Sequence, residues 1–357
     1  MPNGNDKFDE QQRVDWVDYS KGLGIFLVVV GHVLGGLQPS GIISDSPWYQ
    51  FIESWLYTFH MPLFFFISGL FVRRSARRPL SGFILDKAAV LIYPYFVWSI
   101  LQGLLETSHY VNHPVSAIEL LKIPFEPIRE FWFLYTLFVI MIIYRMFYQI
   151  TNSAIAFFSL TIVCFTIEQS GFNIIQWSVA HCVGSYLIYF GAGVAIARSS
   201  ILVRLAELEK GLLLAIVIAG YAAVTTGVVT HSDHQSIFLW PAWAMAGILA
   251  TVALAILMSR STKFAFAKLW GMLSLEIYVA HVLAAAVIRI VLQKAFGISW
   301  PLLHFVLGTG AGIYAPILLA YICQRIGMSY AFTLSRARLQ PWVGSSPGNR
   351  SKRSVRI

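Results

Sequence analysis

Charge is scarce in this chain. Asp, Glu, Lys and Arg make up 12% of its 357 residues, against about 25% in soluble domains. Hydrophobic residues make up 57%, and the mean hydropathy is +0.67. This balance excludes an ordinary soluble domain and points to a polytopic membrane protein. Cysteine is scarce too. Cys164, Cys182 and Cys323 fall inside apolar segments at unrelated spacings, which excludes a disulfide framework or a zinc pattern and suits packed thiols. The first 20 residues are polar, and no small-residue cleavage site follows the first apolar run, so no cleavable signal peptide is expected. Neither an internal repeat nor the inverted repeat of many transporters is visible.

Long hydrophobic runs are what the chain has. A crossing needs about 20 mostly apolar residues, and ten stretches qualify: 21–37, 51–72, 83–105, 131–150, 153–169, 177–197, 211–230, 237–258, 270–292 and 302–323. The fifth is the weakest, because only the turn Gln149–Asn152 separates it from the fourth. The fold class expected is all-α, a membrane bundle of about ten helices.

The basic residues then orient it. With the N-terminus in the cytoplasm, 22 of the 26 Lys and Arg fall on the inner loops and termini; only Lys122, Arg129, Arg289 and Lys294 fall outside. By the positive-inside rule both termini are cytoplasmic, which requires an even number of crossings. The net charge of +9 is thereby spent on topology, and no nucleic-acid partner is expected. The domains follow as a cytoplasmic segment 1–20, a transmembrane domain 21–325, and a cytoplasmic, partly disordered tail 326–357. The longest outer loop, Glu106 to Glu130, is too short for a second domain.

The first run carries a lysine and a histidine, Lys21 and His32, eleven residues apart. At 100° per residue they share one helix face, about 16 Å apart along the axis. A cation at the membrane edge therefore lies below an imidazole deep in the bilayer. Ionisable groups inside lipid are costly and usually functional, and histidine is the common proton acceptor near neutral pH. The alternative is an interfacial anchor: an acidic turn (Asp15, Asp18), a snorkelling lysine and a packing histidine. Gly31 and Gly35 form a small-xxx-small pair, which suits close helix packing.

These residues resemble the opening of the acyltransferase-3 family of membrane O-acyltransferases, most closely its fucose 4-O-acetylase-like branch. A basic residue, ten intervening residues and a histidine open the first helix there. Further blocks agree in order: Phe59-His60-Met61-Pro62-Leu63-Phe64-Phe65-Phe66-Ile67-Ser68-Gly69 with FxMPxFFxxSG, Leu91-Ile92-Tyr93-Pro94-Tyr95-Phe96-Val97-Trp98 with LxxPYxxW, Trp132-Phe133-Leu134 with WFL, and Ser274 to His281 with SxxxYxxH. Together they cover most of residues 13–323. Two departures stand out. Lys21 replaces the family's frequent arginine, which keeps the charge and loses the bidentate fork. The RxxR pair before the third-helix proline reads Lys87-Ala88-Ala89-Val90, so one cation is missing.

The resemblance implies transfer of an acyl group, usually acetyl, from cytoplasmic acetyl-CoA to a sugar hydroxyl. The acceptor would be a glycan, possibly lipid-linked, handled at a bacterial inner membrane. His32 and Lys21 are the catalytic candidates. Lys21, with Lys87, Arg74 and Arg77, is a candidate for the coenzyme A phosphates, although the arginine cluster also suits a topogenic stop signal. His60, Ser68, Glu276, Tyr278 and His281 are candidates to line the substrate site; packing roles for His60 and Glu276 stay open. No serine or cysteine is placed as an acyl-enzyme nucleophile, so direct transfer is expected. His181 and His304 are expected to pack. His109, His113, His231 and His234 fall in outer loops, and His231-Ser232-Asp233-His234 suits a solvated loop better than a metal site; no metal is expected. An interfacial belt accounts for most of Trp48, Trp55, Trp98, Trp132, Trp240 and Trp243. The competing functions are a glycan or lipid-linked sugar transporter or flippase, and an acyltransferase acting on lipids or proteins.

Overall fold

The computed structural model of the chain describes residues 5–107, 116–171, 176–230 and 239–334. Every regular element among them is helical. In lipid a backbone without water must satisfy its own polar groups, and helices do so within one segment. The first half holds α1 (Asn5–Leu37), α2 (Pro47–Ala76), α3 (Leu80–Lys87), α4 (Tyr93–Glu106), the short α5 (Ala117–Lys122), α6 (Trp132–Ile150) and α7 (Ala154–Gln169). The second half holds α8 (Ser178–Ile196), α9 (Ile201–Glu207), α10 (Lys210–Thr230), α11 (Trp240–Ser259), α12 (Ala265–Met272), α13 (Ser274–Ile290) and α14 (Pro301–Arg325).

Among the described residues nine helical stretches are long and apolar enough to cross a membrane, and α7, with 16 residues, is shorter. Its two ends settle its extent. Near one end His181 of α8 bonds Glu168 at 3.0 Å; at the other, Arg198 donates to the Asn152 side chain at 2.6 Å. So α7 runs antiparallel to α8 over the length of a helix that is long enough to cross. The nine long helices and the shorter α7 correspond to the ten apolar stretches of the sequence.

α1 and α2 form the middle of the bundle. They bury 72% (α2) and 61% (α1) of their spans, against 28% for the peripheral α10. α1 packs on α2, α11, α12, α13 and α14, while α2 packs on α1, α8 and α11. Lys21 lies inside α1, because the helix begins well before it. The tight approaches are not at Gly31 and Gly35, as expected: a Cβ at Gly31 would make ordinary contact with Tyr57, and one at Gly35 would meet nothing. Instead a Cβ at Gly22 would overlap the Ala267 carbonyl oxygen, and one at Gly271 the Asp18 carbonyl oxygen. One close seam therefore joins α1 to α12, at the end that carries Lys21, and another joins α2 to α8 at Gly69 and Gly193.

The proline blocks have local causes. Pro94 lacks an N–H, and the chain ahead of it opens into a π-turn over Ala88–Ile92. The Ala89 carbonyl accepts instead from the Thr333 hydroxyl at 3.1 Å and the Leu334 amide at 3.2 Å. Trp98, one turn on, donates its indole N–H to the Ala331 carbonyl at 3.0 Å and stacks on Phe332. The first part of the expected tail, through Leu334, is thus docked on α4. Trp98 is a buried clamp and not a belt residue. Trp55 and Trp132 also turn inward, onto Phe59 and Tyr221 and onto Phe65 and Tyr186.

Candidate active site

Three helices bring three histidines together. His32 comes from α1, His60 from α2 and His281 from α13. The rings of His32 and His281 stand edge-on with centroids 5.0 Å apart, and His60 follows Tyr57 on α2, which faces α1 at Gly31, the residue before His32. His60 and His281 are buried and His32 is half-buried. Tyr57, one turn before His60 on α2, meets that ring edge-on at 4.7 Å. Tyr278, one turn before His281, stands 6.1 Å from it. The period of the helix explains both pairs, since residues three or four apart share a face.

Helix backbones set the tautomers of two of these rings. Nδ1 of His281 faces the Tyr278 carbonyl at 2.7 Å and the Ile277 carbonyl at 3.2 Å. Nδ1 of His60 faces the Leu56 carbonyl at 2.5 Å. A carbonyl oxygen only accepts, so Nδ1 carries the proton in both rings and Nε2 keeps its lone pair. The His281 Nε2 is buried and makes no hydrogen bond among the described residues. A buried acceptor left open in this way is costly unless something arrives to donate to it.

One member of this neighbourhood was barely legible in the sequence. Glu130 looks like the edge of a loop, yet it is only 5% exposed. Arg129 ahead of it has φ of 47°, a left-handed conformation that costs a non-glycine residue energy and clusters at functional sites. The Tyr278 hydroxyl donates to the Glu130 carbonyl. Gln102 donates to Glu106 at 3.0 Å and to Glu130 at 3.4 Å, and Arg129 pairs with Glu106 at 3.0 Å. The signal available was a carboxylate placed directly before an apolar run, where burial is expensive unless it serves a purpose.

The remaining candidates are placed separately. Lys21 lies on the α1 stripe below His32, with Asp18 3.8 Å away, while Asp15 pairs with Lys268 of α12 at 2.6 Å. Arg74 and Arg77 are exposed, and the half-buried Lys87 ammonium stands 5.7 Å from the Phe83 ring centroid. Ser68 is half-buried, about 12 Å along α2 from His60, and no hydrogen bond or ring contact joins it to the histidines among the described residues. Glu276 is half-buried two residues before Tyr278, on another side of α13. His304 is buried against the Ile298 carbonyl at 2.8 Å. Cys164, Cys182 and Cys323 are free thiols. Among the described residues no group of three or more His, Cys, Asp or Glu is placed so that it could hold a metal ion. His109, His113, His231, Asp233 and His234 lie outside the described residues.

A multi-pass helical membrane protein with a histidine cluster at its centre is therefore the class that fold and site define. The family model described as an acyltransferase domain matches residues 14–321. The chain belongs to that family, the acyltransferase-3 group. Two curated relatives are both named nodulation protein NolL. The one from Mesorhizobium japonicum is 31% identical over 131 residues, covering 36% of this chain and 34% of its own length. The one from Sinorhizobium fredii is 28% identical over 131 residues, covering 36% and 35%. The match thus spans about a third of each relative. No solved structure matches the chain.

Proposed function

We propose that the chain is an inner-membrane O-acetyltransferase, moving acetyl from cytoplasmic acetyl-CoA to a sugar hydroxyl of a bacterial surface or secreted glycan. Exopolysaccharide, O-antigen and fucosylated lipo-oligosaccharide are the acceptor classes considered. The observation that carries this reading is the meeting of His32 with His281, whose Nε2 is held as an open acceptor in a buried site. His32 takes the proton of the acceptor hydroxyl. The alcohol oxygen then forms its bond to the thioester carbonyl carbon, the carbon–sulfur bond breaks, and the coenzyme A thiolate leaves and collects a proton. His281 orients the His32 ring. No acyl-enzyme is needed.

Lys21, near the cytoplasmic end in the orientation that the basic loops favour, supports the donor's phosphates, with Arg74, Arg77 and Lys87 as further cations. Guanidinium and ammonium donors suit phosphate oxygens. Family membership favours acyl transfer over the transporter reading. The test compares glycan O-acetyl content by mass spectrometry in the source strain, in a deletion strain and in its complemented form. Loss on deletion and return on complementation are expected; unchanged O-acetyl content in the deletion strain would overturn the reading.

A further inference from the structure

A cavity of about 670 Å³ descends into the bundle between α2, α7, α8, α10 and α11. Its rim is made by Pro47 at the start of α2, Gln169 at the end of α7, Val229 near the end of α10 and Trp240 at the start of α11. These positions lie at one end of the bundle. It is the end opposite Lys21, Arg74 and Arg77, because α1 and α2 run in opposite directions and Lys21 lies in the first half of α1. Tyr57 lines it ten residues into α2, about 15 Å down, and Pro62 lines it a further turn or so below. Tyr57 is also the ring that meets His60 edge-on and that faces α1 at Gly31, next to His32. Tyr57 thus touches both the cavity and the histidine cluster.

The lining has a definite chemistry. Phe51, Tyr186 and Trp240 present aromatic surface, while Gln50, Gln169 and Ser185 present amide and hydroxyl groups. None of the described lining residues is Lys, Arg, Asp or Glu. Flat apolar surface beside neutral hydrogen-bonding groups matches a sugar ring, which has a C–H face and a rim of hydroxyls. A phosphate or a carboxylate would find no cation there, and an acyl chain would leave the amides without partners. The volume falls within the roughly 300–1,000 Å³ of small-molecule sites.

We propose that this cavity binds the neutral saccharide of the acceptor and that Tyr57 positions its hydroxyl toward the histidines. The proposal rests on the transferase reading above. It adds that the acceptor enters from the end opposite the donor, so the two substrates meet at Tyr57, His60 and His32.

The test uses the full chain returned to the deletion strain as Ser185→Trp, which fills the cavity, or as Gln169→Ala with Gln50→Ala, which strips its amides. Glycan O-acetyl content is read by mass spectrometry per unit of membrane protein. Acetyl-CoA binding is measured on the purified proteins in nanodiscs. Ser185→Trp is expected to lower O-acetyl content about 10-fold or more while acetyl-CoA affinity stays within about twofold of wild type. O-acetyl content within about twofold of wild type in a well-expressed Ser185→Trp protein would overturn the proposal. If Ser185→Trp does not accumulate, the amide variant decides: about a 3- to 10-fold loss is expected, and none overturns it. A phospholipid retained by the wild-type protein in native mass spectrometry, and expelled by Ser185→Trp with O-acetyl content unchanged, would make the cavity a lipid site. Failure of the transferase reading is separable, because there the deletion strain itself keeps its O-acetyl groups.

Discussion

An imidazole can act as a base only while one nitrogen keeps a lone pair aimed at the substrate. Two of the three histidines here have Nδ1 committed to a carbonyl of their own helix, so Nε2 is available in both. Among the described residues His32 makes no hydrogen bond, and it is the most open of the three. The proposed proton transfer by His32 rests on that combination. His32→Ala should insert normally and lose about 10²- to 10⁴-fold in turnover, the usual contribution of a general base, with acetyl-CoA dependence little changed. Lys21→Ala should instead weaken apparent acetyl-CoA affinity by about 1.5–3 kcal/mol, the worth of a charged hydrogen bond, and Lys21→Arg should retain substantial activity. Donor titrations on the purified variants separate these outcomes. A Lys21→Ala protein with unchanged donor dependence and lower turnover would place Lys21 in the chemical step. The stripe shared by Lys21 and His32 was legible in the sequence because helix period alone determines it. The partnership of His32 with His281 is separated by most of the chain, and only the resemblance to the family pointed toward it. Glu130 carried only a weak signal, its place directly before an apolar run, which a loop edge shares.

At the scale of elements, glycine shows where local sequence misleads. Gly31 and Gly35 have the spacing of a close-packing pair, yet neither brings two backbones together. Gly22 has no such spacing partner, Gly271 has one in Ala267 four residues earlier, and each glycine faces a carbonyl oxygen of the opposite helix. The spacing rule describes one helix, while close approach depends on which neighbour lies across the seam, and a single segment does not carry that information. Backbone atoms cannot rotate away as a side chain can. Gly271→Leu should therefore push α12 off α1 and destabilise the protein by about 1–3 kcal/mol or more, whereas Gly35→Ala should be close to neutral. Thermal unfolding of both variants in the same detergent checks this, and a Gly271→Leu protein as stable as wild type would contradict the seam. The helices themselves were legible, since hydrophobic length marks a crossing whatever its neighbours are. The fold of α4 was legible only in outline. Pro94 announces an interruption, but the docking of Thr333 and Leu334 on the freed Ala89 carbonyl joins segments that sequence order keeps far apart.

For the whole molecule the decisive quantity is whether the number of crossings is even. Ten place both termini on one side; nine would place them on opposite sides. Length alone leaves α7 in doubt, because 16 residues reach about 24 Å against a hydrocarbon core near 30 Å. The contacts at its ends argue for a crossing, since Glu168 and Asn152 meet the two ends of the longer α8. Short helices are accommodated by local thinning of the bilayer at modest cost. Charge argues the same way and independently. With ten crossings, 22 of 26 basic residues lie inside, and removing one crossing would invert every loop after Asn152, moving Arg198, Arg204, Lys210, Arg260, Lys263 and Lys268 to the outer face against the positive-inside rule. Reporter fusions at Ser108 and Ser232 should therefore read outside, and fusions in the Gln149–Asn152 turn and at the C-terminus should read inside. The turn and the C-terminus form the informative pair. Both inside requires that α7 crosses, whereas an inside turn with an outside C-terminus would mean that α7 lies within the inner leaflet and that the ten-helix bundle is wrong.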